Sequence, residues 1–154
     1  MIKKIIIFLL LFIVNFKLFA EQGVFIVYKI NNEIITNVDI EEEAKYLLAL
    51  NNQLKNLSDK KIYDIAKESI VKEKIKKIEV LRYFELGQKN KFLDSVIKNF
   101  YLKLGLKNEN EFSKYLQDYN LTIEDIVKKI EIEATWNQLI YQKYKNIIDV
   151  DTKL

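Results

Sequence analysis

The feature that most constrains this chain is its near lack of residues that interrupt helices. Its 154 residues contain no proline and three glycines. Because proline breaks a helix interior and glycine weakens one, long stretches without either favour long helices. Apolar residues recur at helical spacing over most of the sequence beyond Thr36. We therefore predict a mainly α fold, with a small N-terminal β-hairpin followed by about five helices.

The composition also excludes several classes of chemistry. The chain has no cysteine and no histidine, so disulfides, thiolate or imidazole metal sites, and Ser-His-Asp or Cys-His catalysis are ruled out. It contains no glycine-rich phosphate loop and no nucleophile elbow. The densest acidic cluster is Glu41-Glu42-Glu43, on the predicted first turns of a helix. We expect these negative charges to interact favourably with the positive end of the helix dipole. We predict no catalytic residue, no metal site and no cofactor.

Residues 1–20 have the layout of a secretory signal peptide. A short basic start is followed by an unbroken apolar run at 5–14 and a segment that ends at Ala20. The prediction is export to the periplasm of a Gram-negative-type envelope. The alternative is an uncleaved inner-membrane anchor that faces the periplasm, but Asn15 and Lys17 interrupt the apolar stretch before the ~20 residues that a span needs.

The basic charge of the chain belongs to that segment. The sequence has 25 basic and 22 acidic residues, and Lys3, Lys4 and Lys17 are the basic residues of the first twenty, which contain no acidic residue. The predicted domain, residues 21–154, is therefore formally neutral. Nucleic-acid binding needs a net basic face, so we predict no nucleic-acid partner.

The start of the domain has the pattern of a hairpin. Residues 24–30 are rich in β-branched and aromatic side chains, and a second apolar run follows at 33–35. Asn tolerates a positive φ, so Asn31-Asn32 between these runs predicts a tight turn. A two-stranded ribbon is marginal alone, and we expect it to pack on the helices.

Two helix starts are well marked. Thr36 with Asp39, and Thr122 with Asp125, have the spacing of a capping box, in which two side chains bond to each other's backbone N–H groups. We interpret Asp39 as a capping group and not as a binding-site acid, because its position explains it fully.

The remaining helices follow from apolar spacing. We predict a second helix at about 59–86 with Gly87 as its C-cap, a third at about 91–104, and a short fourth capped by Asn108. The fifth should reach about residue 146 and carries two apolar stripes. A helix that is apolar on two sides must be covered on two sides.

The head of the domain resembles the N-terminal domain of SurA-type periplasmic folding factors. In that family a short strand, an Asn-containing turn, two aliphatic residues and an Asp followed by an aliphatic open the domain. The matching residues here are Asn31, Asn32, Ile34, Ile35, Asp39 and Ile40. The stretch 120–125 is similar to the family's entry into its last long N-domain helix. The resemblance covers about residues 24–150, nearly all of the predicted domain.

The resemblance implies a periplasmic chaperone that holds unfolded outer-membrane β-barrel proteins (its clients) through apolar and aromatic-rich segments, without ATP. Family members usually continue into parvulin-type prolyl isomerase domains, whose active site generally relies on His. We find no parvulin domain within these 154 residues, which also lack His, so the isomerase function is not carried over from the resemblance. The family's returning C-terminal helix is also missing, so we expect one face of the fifth helix to be covered by another molecule.

Five aromatic residues are the candidate client-binding residues, because Tyr and Trp suit a rim that is apolar yet wet. They are Tyr101, Tyr115, Tyr119, Trp136 and Tyr141. The predicted partners are unfolded outer-membrane or envelope proteins, with a second copy or a separate protein over the last helix. A membrane is a partner only through residues 1–20, if these are uncleaved. The alternatives are an adaptor or assembly subunit with one dedicated partner, and a shortened prolyl isomerase without its catalytic domain.

Overall fold

The computed structural model of the chain describes residues 23–88 and 91–145. This part is mainly α-helical, with an N-terminal hairpin followed by five helices, which confirms the predicted fold class. The elements are β1 (Ile26–Ile30), β2 (Glu33–Thr36), α1 (Asn37–Leu50), a 3₁₀ turn (Asn52–Asn56), α2 (Asp59–Val80), α3 (Lys91–Lys103), α4 (Glu109–Gln117) and α5 (Ile123–Tyr144). The predicted signal peptide lies outside the described residues, and none of the described helices is long and apolar enough to cross a membrane.

The hairpin forms at the predicted Asn-Asn turn. Asn31 has a φ of 53°, in the left-handed region that Asn tolerates. The strands pair antiparallel, with Tyr28 opposite Ile35 and an irregularity between Ile26 and Tyr28. The ladder begins at Ile26, two residues later than the apolar run predicted. Cross-strand partners share a face, so Tyr28 lies on the same face as the buried Ile35, and Tyr28 itself is 38% exposed.

Both predicted capping boxes are present. The Thr36 hydroxyl accepts a hydrogen bond from the Asp39 N–H, and the Asp39 carboxylate accepts one from the Thr36 N–H at 2.7 Å. The same pair of bonds joins Thr122 and Asp125 at the start of α5. Partial burial alone would raise the pKa of Asp39, but its hydrogen bonds with Thr36 more than offset this and hold the pKa below its usual value.

α2 ends earlier than predicted, at Val80 rather than near residue 86. The N–H groups of Arg82 and Tyr83 donate to the C=O groups of Glu79 and Val80, three residues back, so the four-residue spacing of the α-helix ends here. Gly87 is therefore not the C-cap of this helix. It lies in the connection to α3 with a φ of 88°, and its N–H donates to the Glu131 carboxylate on α5 at 2.7 Å. The connection is thus held against α5.

Two apolar clusters form the core. The first joins the hairpin, α1 and α2, and its buried members are Ile35, Ile40, Ala66 and Ile70. The second joins the end of α1, α3, α4 and the start of α5, and its buried members are Ala49, Ile97, Phe112, Leu116, Leu121 and Ile126. α5 then runs along α2 in the same direction. Two successive ion pairs show this, since Glu73 pairs with Lys129 and, further along both helices, Lys76 pairs with Glu133.

Candidate functional site

Three of the predicted client-binding residues lie at the second core cluster. Tyr101, Tyr115 and Tyr119 are half-buried and pack against it. The ring centroids of Tyr101 and Phe112 are 6.0 Å apart. The Tyr115 hydroxyl donates to the C=O of Ala49 at 2.8 Å, and burial raises the pKa of Tyr115. These contacts anchor Tyr101 and Tyr115 to the second core cluster.

The other two predicted residues lie further along α5. Trp136 is half-buried, and Tyr141 is 67% exposed. Trp136 follows Ile126, the α5 member of the second core cluster, by ten residues. At ~1.5 Å per residue that separation is about 15 Å along the helix. The structure therefore does not bring the five aromatics into one groove, and it divides them between two regions of the domain.

Trp136 lines an open groove between α2 and α5 at the turn of the hairpin. Its volume is about 390 Å³, and we call it the Trp136 groove. Its apolar walls are formed by Ile30, Ile75, Ile78, Trp136, Leu139 and Ile140. Ile75 is apolar and yet 50% exposed. Apolar side chains are thus presented to solvent in a concave site.

One end of the Trp136 groove carries charged side chains. Glu79 accepts hydrogen bonds from Lys143 at 3.0 Å and from Arg82 at 2.9 Å. The Lys143 ammonium also lies 4.5 Å from the ring centroid of Tyr83. The bond from Lys143, together with the charge of Arg82, lowers the pKa of Glu79, so this carboxylate is ionised at neutral pH. The rim carries two cations and one anion.

A second groove lies between β1 and α2. Its volume is about 330 Å³, it is lined by Tyr28, Ile30, Lys67, Glu68, Val71 and Lys72, and we call it the β1 groove. The Lys67 ammonium lies 6.0 Å from the ring centroid of Tyr28. Ile30 lines both grooves, so the two meet at the end of β1.

A buried ion cluster joins α1, α2 and α5. The Lys129 ammonium donates to the carboxylates of Glu43, at 2.6 Å, and of Glu73. Glu43, which is 2% exposed, also accepts a hydrogen bond from the Ser69 hydroxyl at 2.6 Å. The ammonium lies 4.8 Å from the ring centroid of Tyr46. Each helix of the trio therefore contributes a charged group to one contact.

The electrostatics of the cluster follow from its burial. Burial alone would lower the pKa of Lys129, but the charges of Glu43 and Glu73 more than offset this, so the pKa is raised and the cation persists at neutral pH. Burial, and then the same two carboxylates, raise the pKa of Tyr46. Every buried side-chain nitrogen or oxygen atom in the described residues has a hydrogen-bond partner. The cluster is a satisfied structural contact that holds three helices together.

Glu43 corrects the interpretation of the acidic run. The expectation that Glu41-Glu42-Glu43 serves the helix dipole is wrong for Glu43, whose carboxylate binds Lys129. The sequence did hold a signal for it: Glu43 follows Ile40 by three residues and precedes Leu47 by four, on one helical face. A charged residue on an apolar stripe needs a buried counter-ion.

The described residues contain no group of three or more acidic side chains placed to hold a metal ion. In comparisons with known proteins, no family model matches the chain, and no curated protein or solved structure matches it.

Proposed function

We propose that this domain is an ATP-independent, non-catalytic chaperone that holds apolar segments of unfolded outer-membrane or envelope proteins in the Trp136 groove. The groove is the observation that carries the proposal. It presents Ile75, Trp136 and Ile140 to solvent within a concave site, between two long helices. Concave apolar sites with a few polar groups at the edge are the usual form of binding sites.

The energetics suit reversible holding. Each exposed aliphatic side chain stabilises a complex by ~1.5–3 kcal/mol when it is fully buried. A groove of about 390 Å³ accommodates a few client side chains at a time, so affinity is moderate and release needs no nucleotide. The charged groups Glu79, Arg82 and Lys143 keep one end of the site hydrated while its walls stay apolar.

The sequence resemblance supports the same proposal. The hairpin, the capped helix and the Asp39 position follow the order seen in SurA-type N-terminal domains, whose implied role is the holding of unfolded clients. The location that accompanies this proposal is the periplasm, with inner-membrane anchoring as the alternative. Of the five aromatics predicted to bind clients, Trp136 is the one that we place at the centre of the proposed site.

The test is suppression of aggregation by groove variants. A β-barrel membrane protein is diluted from urea, and light scattering is recorded with and without a modest excess of residues 21–154. We expect the native domain to suppress scattering and Ile75→Ser to lose most of that suppression, because Ile75 lines the groove and is 50% exposed. The matched control is Leu102→Ser, since Leu102 is a 49% exposed aliphatic on α3 and lies outside the groove.

Circular dichroism of each variant checks that it is folded. Equal suppression by the native domain and Ile75→Ser would place client binding elsewhere. No suppression by a folded native domain would contradict the chaperone role and would favour a fixed partner, as in the adaptor alternative.

A further inference from the structure

We propose that the β1 groove and the Trp136 groove form one channel that binds its client as an extended strand paired to the free edge of β1. This inference rests on the proposed function and adds to it the conformation and the charge pattern of the client segment. It follows from the placement of three elements: β1, α2 and α5.

The two grooves share one wall. The wall residues Lys67, Val71, Ile75 and Ile78 follow one another at intervals of four, four and three residues, so they lie along one face of α2. Ile30 lines both grooves and marks the point where they meet. From Lys67 to Val80, the last residue of α2, the helix rises about 20 Å at ~1.5 Å per residue. An extended chain at ~3.3 Å per residue covers that length with about six residues.

The edge of β1 is open along the first half of the channel. β1 pairs with β2 on one side only, and the described residues hold no third strand. The β1 groove is lined by Tyr28 and Ile30 from β1 and by residues of α2, without a contribution from β2. It therefore lies on the outer side of β1, where the backbone N–H and C=O groups lack a strand partner. An extended segment satisfies such groups by strand addition, whereas a helix, with its own backbone bonds closed, does not.

The charges at the two ends of the channel determine which residues are favoured at the ends of that segment. Lys67 and Lys72 lie at the β1 end, and Arg82 and Lys143 at the far end, against Glu68 and Glu79. Four cationic side chains thus face two carboxylates, and the middle of the channel is apolar. The complementary occupant is an apolar β-strand with an acidic residue at each end.

The test uses the emission of Trp136, the single tryptophan of the chain. The protein expressed from its full coding sequence is titrated with acetyl-Asp-Val-Thr-Val-Thr-Val-Asp-amide, which has no aromatic residue. We expect the fluorescence emission of Trp136 to change and to reach saturation as the peptide is added. Two versions of the peptide carry N-methyl groups on alternate amides, in opposite phases. Because the N–H groups of a strand point alternately to its two sides, one phase should bind about tenfold or more weakly and the other should bind like the parent.

Two further peptides complete the design. A version with Lys in place of both Asp should bind severalfold more weakly, and a helix-forming peptide of Ala and Leu with the same net charge should bind more weakly than the strand peptide. Equal binding by both N-methyl phases and the parent, or tighter binding by the helical peptide, would overturn the strand-pairing inference and leave the proposed function standing. Binding that appears only after deletion of residues 146–154, or only on dilution of a dimer, would also overturn it and assign the channel to the chain itself. If no peptide changes the emission of Trp136, the result would instead contradict the proposed function.

Discussion

Replacement of Lys129 by methionine tests how the three long helices are held together. The substitution keeps most of the side-chain length and removes the cation between Glu43 and Glu73, whose side chains are 1% and 18% exposed. Removal of one partner of a buried ion pair typically costs ~3–5 kcal/mol, because the remaining charge has no compensation. We expect Lys129→Met to lower the free energy of unfolding by that amount.

The assay is urea denaturation followed by circular dichroism. With an m value of about 2 kcal/mol/M, a loss of ~3–5 kcal/mol lowers the midpoint by about 1.5–2.5 M. The matched control is Lys72→Met, which removes the same type of side chain from an ion pair with Glu68 whose members are 70% and 73% exposed. Exposed pairs of this spacing contribute ~0.3–0.5 kcal/mol, so its midpoint should move by about 0.2 M.

A double variant separates charge from packing. Addition of Glu43→Gln to Lys129→Met removes one of the two uncompensated carboxylates, so the double variant should be more stable than Lys129→Met alone. Equal midpoints for Lys129→Met and Lys72→Met would refute the reasoning, since burial would then have no effect on the contribution of an ion pair to the free energy of unfolding. A double variant less stable than Lys129→Met would show that packing, and not charge, is responsible.

Three further outcomes follow from single contacts, each measured as the free energy of unfolding in urea. Asp39→Ala should cost about 1 kcal/mol through loss of the α1 cap. Because the pKa of Asp39 is lowered on folding, its stabilisation is present above the unfolded-state value near 3.8 and is lost as the pH falls through the folded-state value, so the difference from the native chain should shrink in acid. Tyr115→Phe should cost ~0.5–1.5 kcal/mol, because its hydroxyl donates to the C=O of Ala49 at 2.8 Å. Phe112→Ala should cost ~3–5 kcal/mol, because Phe112 is fully buried in the second core cluster.

The parts of the fold that the sequence predicted are those set by local interactions. The Asn31 turn and the Thr36 and Thr122 caps each involve residues a few positions apart, so their side chains and backbone determine them directly. The predicted cap Asn108 likewise accepts a hydrogen bond from the N–H of Glu111 at the start of α4.

The parts that the sequence did not predict depend on neighbours distant in the chain. The early end of α2 is followed by a connection that Glu131 holds from α5, 44 positions beyond Gly87. Ile75 has the spacing of a core residue, and it lies in an open groove because α5 covers only one side of that face of α2. The aromatics chosen from the sequence shared a chemical type, but the distance of Tyr115 from Trp136 is set by helix packing that composition does not encode.

The ion cluster also sets an order for the folding of the chain. Lys129 follows Glu43 by 86 positions and Glu73 by 56, so both carboxylates are synthesised well before their cation. Without the Lys129 ammonium, two like charges face each other where α1 and α2 meet, which disfavours the pairing of these helices. Docking of α5 brings the cation and lines one wall of the Trp136 groove in the same step, so the proposed client site forms only when the core closes.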